Sequence, residues 1–326
     1  MDIELHNYAT APLGTLIRLA FKLEKEGNLV EAANCLRCIV KREPKPSALM
    51  LLGGVLLELE KPEEAEECFL SANAFDPNLL FSIKSLGFIY FKRREYEKSK
   101  EYFIRSLEIE ESPGTYTYLG DASLELGQIE AAIDAFRKAI VIDSRYEEAY
   151  YNLAMTLREE STEESIKLFR TAIEIDPDYQ LAHRELGTLF IALGNLPEAV
   201  RHLRLAVSLD SSDGWSHLYL GTSFREIRDL VGAEREFKKC IEVWPDESTS
   251  YWALASFYQN EGRPLEAEKL YQKALQIDPD DVESNLDFGI YLLSIGEKAK
   301  AKEHLNRVIA IENNNPKAME VLKSIS

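Results

Sequence analysis

Small and bulky apolar positions recur along this chain about every 34 residues, nine times in succession. Take Pro44, Pro77, Pro177, Pro245 and Pro279 as place thirty-two of a repeat. The repeats then begin near Leu13, Pro46, Leu80, Pro113, Glu147, Gln180, Gly214, Ser248 and Val282. Place eight reads Ala20, Gly53, Gly87, Gly120, Ala154, Gly187, Gly221, Ala255 and Gly289. Place twenty reads Ala32, Ala65, Ser99, Ala132, Ser165, Ala199, Ala233, Ala267 and Ala301. Place twenty-four is Leu36, Phe69, Phe103, Phe136, Phe169, Leu203, Phe237, Tyr271 and Leu305. Small residues let two backbones approach, and the large one four places later fills the gap beside them.

Within a repeat the period is helical, and it breaks once. In the sixth, His183, Leu186, Gly187 and Phe190 share one stripe of a first helix, and Ala199, Leu203 and Ala206 share one stripe of a second. Gly127, Gly194, Gly262 and Gly296 fall between the two, where the chain must reverse. Asp76-Pro77, Asp176-Pro177 and Asp278-Pro279 close repeats because proline cannot continue a helix.

These places resemble the tetratricopeptide repeat family, from about Leu13 to Pro316. The resemblance implies an all-α fold: antiparallel helix pairs stacked into a right-handed superhelical solenoid. The expected layout is an N-terminal arm over 1–12, nine repeats forming one solenoid over 13–315, and a C-terminal capping helix over 316–326. That last helix carries Met319, Leu322 and Ile325 at helical spacing. Glu111, Ser144, Ser211 and Asn313 replace the closing proline. The fifth repeat is one residue short near Glu160-Ser161, which predicts a tighter turn there, and the first repeat reads as a cap.

At 326 residues an ordinary globular chain would divide into two domains, but stacked repeats bury their faces on their neighbours and escape that limit. The net charge of −18 repels phosphates, so neither nucleic acid nor an anionic membrane is expected as a partner. Met1-Asp2-Ile3-Glu4 starts no secretory signal, no apolar run is long enough to span a membrane, and no terminal lipidation cysteine stands out. A cytoplasmic protein is the expectation.

Chemistry is sparse. Cys35 and Cys38 form a CxxC, but within a helix rather than at a strand-to-helix junction, and with Cys68 there is still no fourth zinc ligand. Cys240 takes a place otherwise held mostly by alanine and reads as core filler. His183 and His217 share a buried place, His202 and His304 share a place on second helices, and His6 lies in the arm. No metalloprotease, nucleophile-elbow, dinucleotide or phosphate-loop motif occurs. No enzyme, cofactor or metal is expected.

The first helices carry a second apolar face. Places four, seven, eight and eleven make the packing stripe, and places two, five, nine and twelve lie opposite it. Phe81, Phe88, Phe91, Tyr151, Met155, Leu181, Ile191, Trp215, Leu218 and Trp252 stand there, with the cations Lys84, Arg158, Arg184 and Arg225 and the acids Asp121, Glu148 and Glu283. The family resemblance implies that first helices line a concave, partner-binding groove. Two grooves known in that family do not match. A clamp for acidic chaperone tails needs asparagine at place nine after Lys84, where Phe88 stands, and Asp121 holds that place in the next repeat. An asparagine ladder at place six is met only by Asn152, beside Tyr118, Glu185 and Tyr219.

The expected function is a non-enzymatic adaptor, scaffold or regulatory subunit. Its expected partner is another protein, a peptide or amphipathic helix with apolar anchors and acidic groups. The alternatives are a self-assembling homo-oligomer and an accessory or inhibitory subunit of a separate enzyme.

Overall fold

The computed structural model describes residues 11–325, so the expected arm and His6 lie outside the described residues except for Ala11 and Pro12. The described residues form nineteen α-helices and no strand. The first helices of the nine repeats are α1 (Leu13–Lys25), α3 (Pro46–Glu58), α5 (Leu80–Lys92), α7 (Pro113–Glu125), α9 (Glu147–Thr156), α11 (Gln180–Ala192), α13 (Gly214–Glu226), α15 (Ser248–Asn260) and α17 (Val282–Ser294). Their partners are α2 (Leu29–Arg42), α4 (Pro62–Phe75), α6 (Tyr96–Ile109), α8 (Ile129–Ile142), α10 (Thr162–Ile175), α12 (Leu196–Leu209), α14 (Leu230–Val243), α16 (Pro264–Ile277) and α18 (Lys298–Ile311). A last helix, α19 (Pro316–Ile325), packs on α18.

The chain falls into two compact units, Met1–Thr171 and Ala172–Ser326, with the boundary inside α10. In the first unit α7 touches both α5 and α9; in the second α11, α13, α15 and α17 touch in succession. Among the described residues, second helices of successive repeats do not pair to that extent. The first helices therefore line the inner face of each unit.

The small residues act as the pattern requires. All nine residues at place twenty are wholly buried, from Ala32 to Ala301. The side chain at place twenty-four lies across the residue at place eight of the same repeat. A Cβ added to Gly53 would stand 2.7 Å from the Phe69 ring, and one added to Gly187 2.6 Å from Leu203 Cγ. Where serine replaces alanine at place twenty, its hydroxyl donates across the same contact: Ser99 Oγ to Gly87 O at 2.9 Å and Ser165 Oγ to Ala154 O at 2.8 Å. Neither serine is left with an unmet buried donor.

Eight of the nine turns between paired helices use one left-handed residue. Gly27, Gly127, Gly194, Gly262 and Gly296 hold it at φ 70–86°, and Glu60, Arg94 and Arg228 hold it elsewhere at φ 57–64°. The fifth repeat has no such residue, so the position it lacks is the left-handed one. The tighter turn expected there takes a different form. Helix α9 ends three residues before its counterparts, with 10 residues against 13, and residues 157–160 unwind into turns. Ser161 N–H then closes on Leu157 O at 2.8 Å. Without a left-handed residue to reverse the chain, the helix end supplies the extra turn.

In α19 the buried residues are Ala318 and Ile325, while Met319 is 36% exposed. Of the expected stripe Ile325 is buried and Leu322 half-buried, while Ala318 takes the buried place expected of Met319.

Candidate functional site

The inner face of residues 11–171 carries three adjoining cavities. The first, of about 230 Å³, lies among α1, α2 and α3 and is lined by Leu13, Ile17, Phe21, Glu24, Ile39 and Leu51 among others. The second, of about 460 Å³, shares Glu24, Ser47 and Leu51 with it and adds Met50, Gly54 and Phe81. The third, of about 530 Å³, shares Gly54, Glu58 and Phe81 with the second and adds Leu57, Lys84, Phe88 and Tyr118. Glycine at Gly54 and Gly114 leaves the floor open: a Cβ at Gly54 would only just reach Phe81, at 4.0 Å, and one at Gly114 would meet Tyr146 Oη at 3.4 Å.

Aromatic stacking fixes these walls. Phe81 meets Phe69 edge-on at 5.8 Å, Phe88 meets Tyr118 edge-on at 6.0 Å, and Tyr118 stacks on Phe103 at 5.6 Å. Rings held by other rings present apolar surface without a further cost in side-chain freedom. Phe81 is 54% exposed and Tyr118 39% exposed, so two large apolar side chains face solvent beside a cavity.

Beyond Tyr118 the face turns acidic. Asn152 Nδ2 donates to Asp121 Oδ1 at 3.0 Å, and Tyr146 Oη donates to Glu148 Oε2 at 2.6 Å. Both donors are neutral, and no cation pairs with Asp121 or Glu148 among the described residues. Burial, with the charges of Glu148 and Glu125 added, pushes the Asp121 carboxyl up to about 7. The Tyr118 phenol is raised by burial and by the same two carboxylates, Glu148 and Asp121.

The sequence-predicted residues divide between the two units. Phe81, Lys84 and Phe88 line the third cavity together. Phe91 instead packs edge-on against Tyr96 at 5.5 Å, and Tyr151 tilts against Phe169 at 5.7 Å. Met155 is 36% exposed, and Arg158 lies near it on the turn after α9. In the second unit Trp215 is 41% exposed, stacks on Tyr219 at 5.9 Å and meets Trp244 edge-on at 5.3 Å. Trp252 donates Nε1–H to Asp287 Oδ2 at 3.0 Å. Leu218 is buried rather than presented.

Two of the four cations expected to meet acidic groups of a partner are paired within the chain. Arg184 reaches Glu185 at 3.0 Å and Asp213 at 3.2 Å, with all three side chains largely buried. Arg225 pairs with Glu226 at 3.0 Å. Lys84 alone of the four predicted cations stands in a cavity wall without an ion pair among the described residues.

Sequence profiles of one repeat family cover most of this length. A profile described as "TPR repeat" matches residues 120–159, and three described as "Tetratricopeptide repeat" match residues 22–79 with 156–214, 85–113, and 246–313. The chain belongs to the tetratricopeptide repeat family. No curated protein sequence matches it. Among solved structures, a tetratricopeptide repeat protein from Parabacteroides merdae is similar at 18% identity and a TM-score of 0.61, over 76% of this chain and 98% of that one. A chain of the APC/C hetero-tetramer Cut9–Hcn1 is similar at 19% identity and a TM-score of 0.61, over 92% of this chain and 59% of its own length. PilF of Pseudomonas aeruginosa is similar at 18% identity and a TM-score of 0.56, over 65% of this chain and 97% of that one. At these identities the likeness is one of fold.

Tetratricopeptide repeats generally serve as non-catalytic protein-interaction scaffolds, and the remaining chemistry-bearing residues here sit in packing positions. His183 donates Nε2–H to Pro177 O at 3.1 Å, which leaves its Nδ1 to accept from His202 Nδ1–H at 2.9 Å. Burial lowers the His183 pKa. His217 lies between Ser211 O, 3.2 Å from Nε2, and the buried Glu236, 2.9 Å from Nδ1. His304 Nδ1 pairs with Asn285 at 2.9 Å. The same helix-to-helix place, 19 residues apart, is thus polar in three repeats and satisfied in each. Burial raises the thiols of Cys35 and Cys68 to about 11, away from the range of reactive or metal-binding thiolates. No group of three or more metal-ligating side chains occurs among the described residues. No described helix is long and apolar enough to cross a membrane.

Sequence reasoning missed Ile17, Phe21, Met50 and Leu57, which occupy places five, nine and twelve of the first two repeats. The signal was present in the register. Ile17 and Phe21 stand in the repeat that reads as a cap, and Met50 and Leu57 flank Gly54, which leaves place nine of the second repeat without a side chain.

Proposed function

We propose that this chain is a non-enzymatic adaptor, scaffold or regulatory subunit that holds a peptide or helix of another protein along the first-helix face of residues 11–171. The observation that supports this most is the continuity of the three cavities, each sharing lining residues with the next, from Ile17 to Tyr118. A segment laid along them would bury apolar anchors in successive cavities, a mode in which a few well-seated side chains carry most of the affinity. The exposed Trp215 offers a second anchor in the C-terminal unit. The Cut9–Hcn1 hetero-tetramer is one assembly in which a chain of similar fold works. Four free cysteines fit a reducing compartment, consistent with the cytoplasm.

The test is affinity purification from the native cell with wild type, Phe81→Ala and Trp215→Ala, followed by mass spectrometry. Phe81 is more than half exposed, so its truncation leaves no internal void. Recovery of the partner should fall at least tenfold with Phe81→Ala at an unchanged melting temperature. A smaller loss with Trp215→Ala would report a contribution from residues 172–326. Equal recovery with all three, or recovery of the chain alone, overturns the reading. Mass in solution distinguishes self-assembly, and an assay of any co-purified enzyme distinguishes an accessory subunit from a passive scaffold.

A further inference from the structure

The third cavity is apolar in its walls and negatively charged beyond them, and the two features meet at Tyr118. Its ring closes the cavity against Phe88 and Phe103, while its phenol lies in the field of Asp121 and Glu148. We propose that the occupant of this groove carries an apolar side chain that seats among Phe81, Phe88 and Tyr118, followed within a few residues by a lysine or arginine that sits on Asp121 and Glu148.

The proposal rests on the function proposed above and gives its partner a sign. Charge complementarity carries it. Asp121 and Glu148 receive hydrogen bonds only from a neutral amide and a neutral phenol, so their charge is unanswered within the chain. In the C-terminal unit, cations of the first-helix face are already matched, Arg184 by Asp213 and Glu185 and Arg225 by Glu226. Lys84 is the one cation lining the third cavity, and Glu58 lines it too. Two like charges held near each other, partly out of water, are relieved by an arriving cation. An arriving carboxylate would be repelled. The acidic-group partner expected from Lys84, Arg158, Arg184 and Arg225 is thereby replaced by a basic one for this groove. Its source is taken to be another protein; a second copy of this chain is an alternative that the test separates.

The probe is a phage-displayed library of random dodecapeptides selected on the full-length chain, followed by synthesis of the consensus peptide and measurement by fluorescence anisotropy. The expected consensus holds an aromatic or large aliphatic residue with Lys or Arg close after it. Its affinity should fall at least tenfold with Phe81→Ala and at least tenfold with Asp121→Asn/Glu148→Gln. The second pair keeps the bonds from Asn152 and Tyr146, so its fold should persist. Changing the peptide's basic residue to Glu should abolish binding to wild type, and Asp121→Lys should restore it in part. Peptides that need Phe81 but tolerate loss of their basic residue, or acidic peptides that need Lys84, overturn the proposal and leave the groove reading standing. No selection, or selected peptides indifferent to Phe81→Ala, overturns both. A dimer that dissociates on Phe81→Ala, detected by light scattering, makes a second copy the occupant and overturns the proposal as well.

Discussion

Asp121 illustrates what a single side chain costs when a binding face is kept open. Its carboxyl is held up to about 7 by burial and by Glu148 and Glu125, against 3.8 for the unperturbed group. Between those values the folded chain binds a proton that the unfolded chain has released. Stability from this group is therefore full below pH 4 and is lost as pH rises towards 7. Asp121→Asn removes the titration while keeping an oxygen for Asn152 to donate to. The variant should gain about 2 kcal/mol over wild type at pH 8, a figure discounted for solvent at the groove mouth, and gain nothing near pH 4. Urea melts at the two pH values measure it, and a gain equal at both would mean that Asp121 is not strained by its charge. This residue was legible in the sequence as an acid on the first-helix face. Its isolation from cations was not, because which donor reaches this carboxylate depends on Asn152, 31 residues away on the next first helix.

At the scale of the helix pair, the repeat was read almost completely from small and large residues. Places eight, twenty and twenty-four are sharp sequence signals because they report one contact. Two backbones meet at the small residues, and a large side chain closes over them. Gly187→Ala should therefore wedge α11 from α12 and cost about 2 kcal/mol, since Leu203 Cγ lies 2.6 Å from the new Cβ. The double variant Gly187→Ala/Leu203→Ala should be less destabilised than the sum of the two single variants, because each change makes room for the other. Strict additivity in denaturant melts would show that the contact is not the wedge described. The fifth repeat marks the limit of this legibility. A missing residue is visible in an aligned register, but whether a turn tightens or a helix end unwinds is decided by the backbone angle that the missing residue would have held.

Over the whole chain the groove was legible in kind and less so in place. The pattern marked the first-helix face, and Phe81, Lys84 and Phe88 do share a cavity. Phe91 and Tyr151 were marked by the same rule and pack instead on Tyr96 and Phe169. Helical periodicity gives the direction in which a side chain leaves its helix; whether it meets solvent or the next ring depends on neighbours the period does not encode. Net charge is the other property of the whole, and it makes folding and binding respond oppositely to salt. At −18 the chain repels itself, and raising NaCl from about 20 to 200 mM shortens the Debye length from roughly 20 Å to below 10 Å. Screening of that repulsion should raise the melting temperature by a few degrees. The same change should weaken a basic-hydrophobic peptide in the groove about threefold to tenfold, since its attraction to Asp121 and Glu148 is screened while its apolar contacts are not. Paired thermal melts and anisotropy titrations across that range measure both slopes. If affinity instead rises with salt, attraction of a basic residue to Asp121 and Glu148 does not contribute, and the apolar anchors alone account for binding.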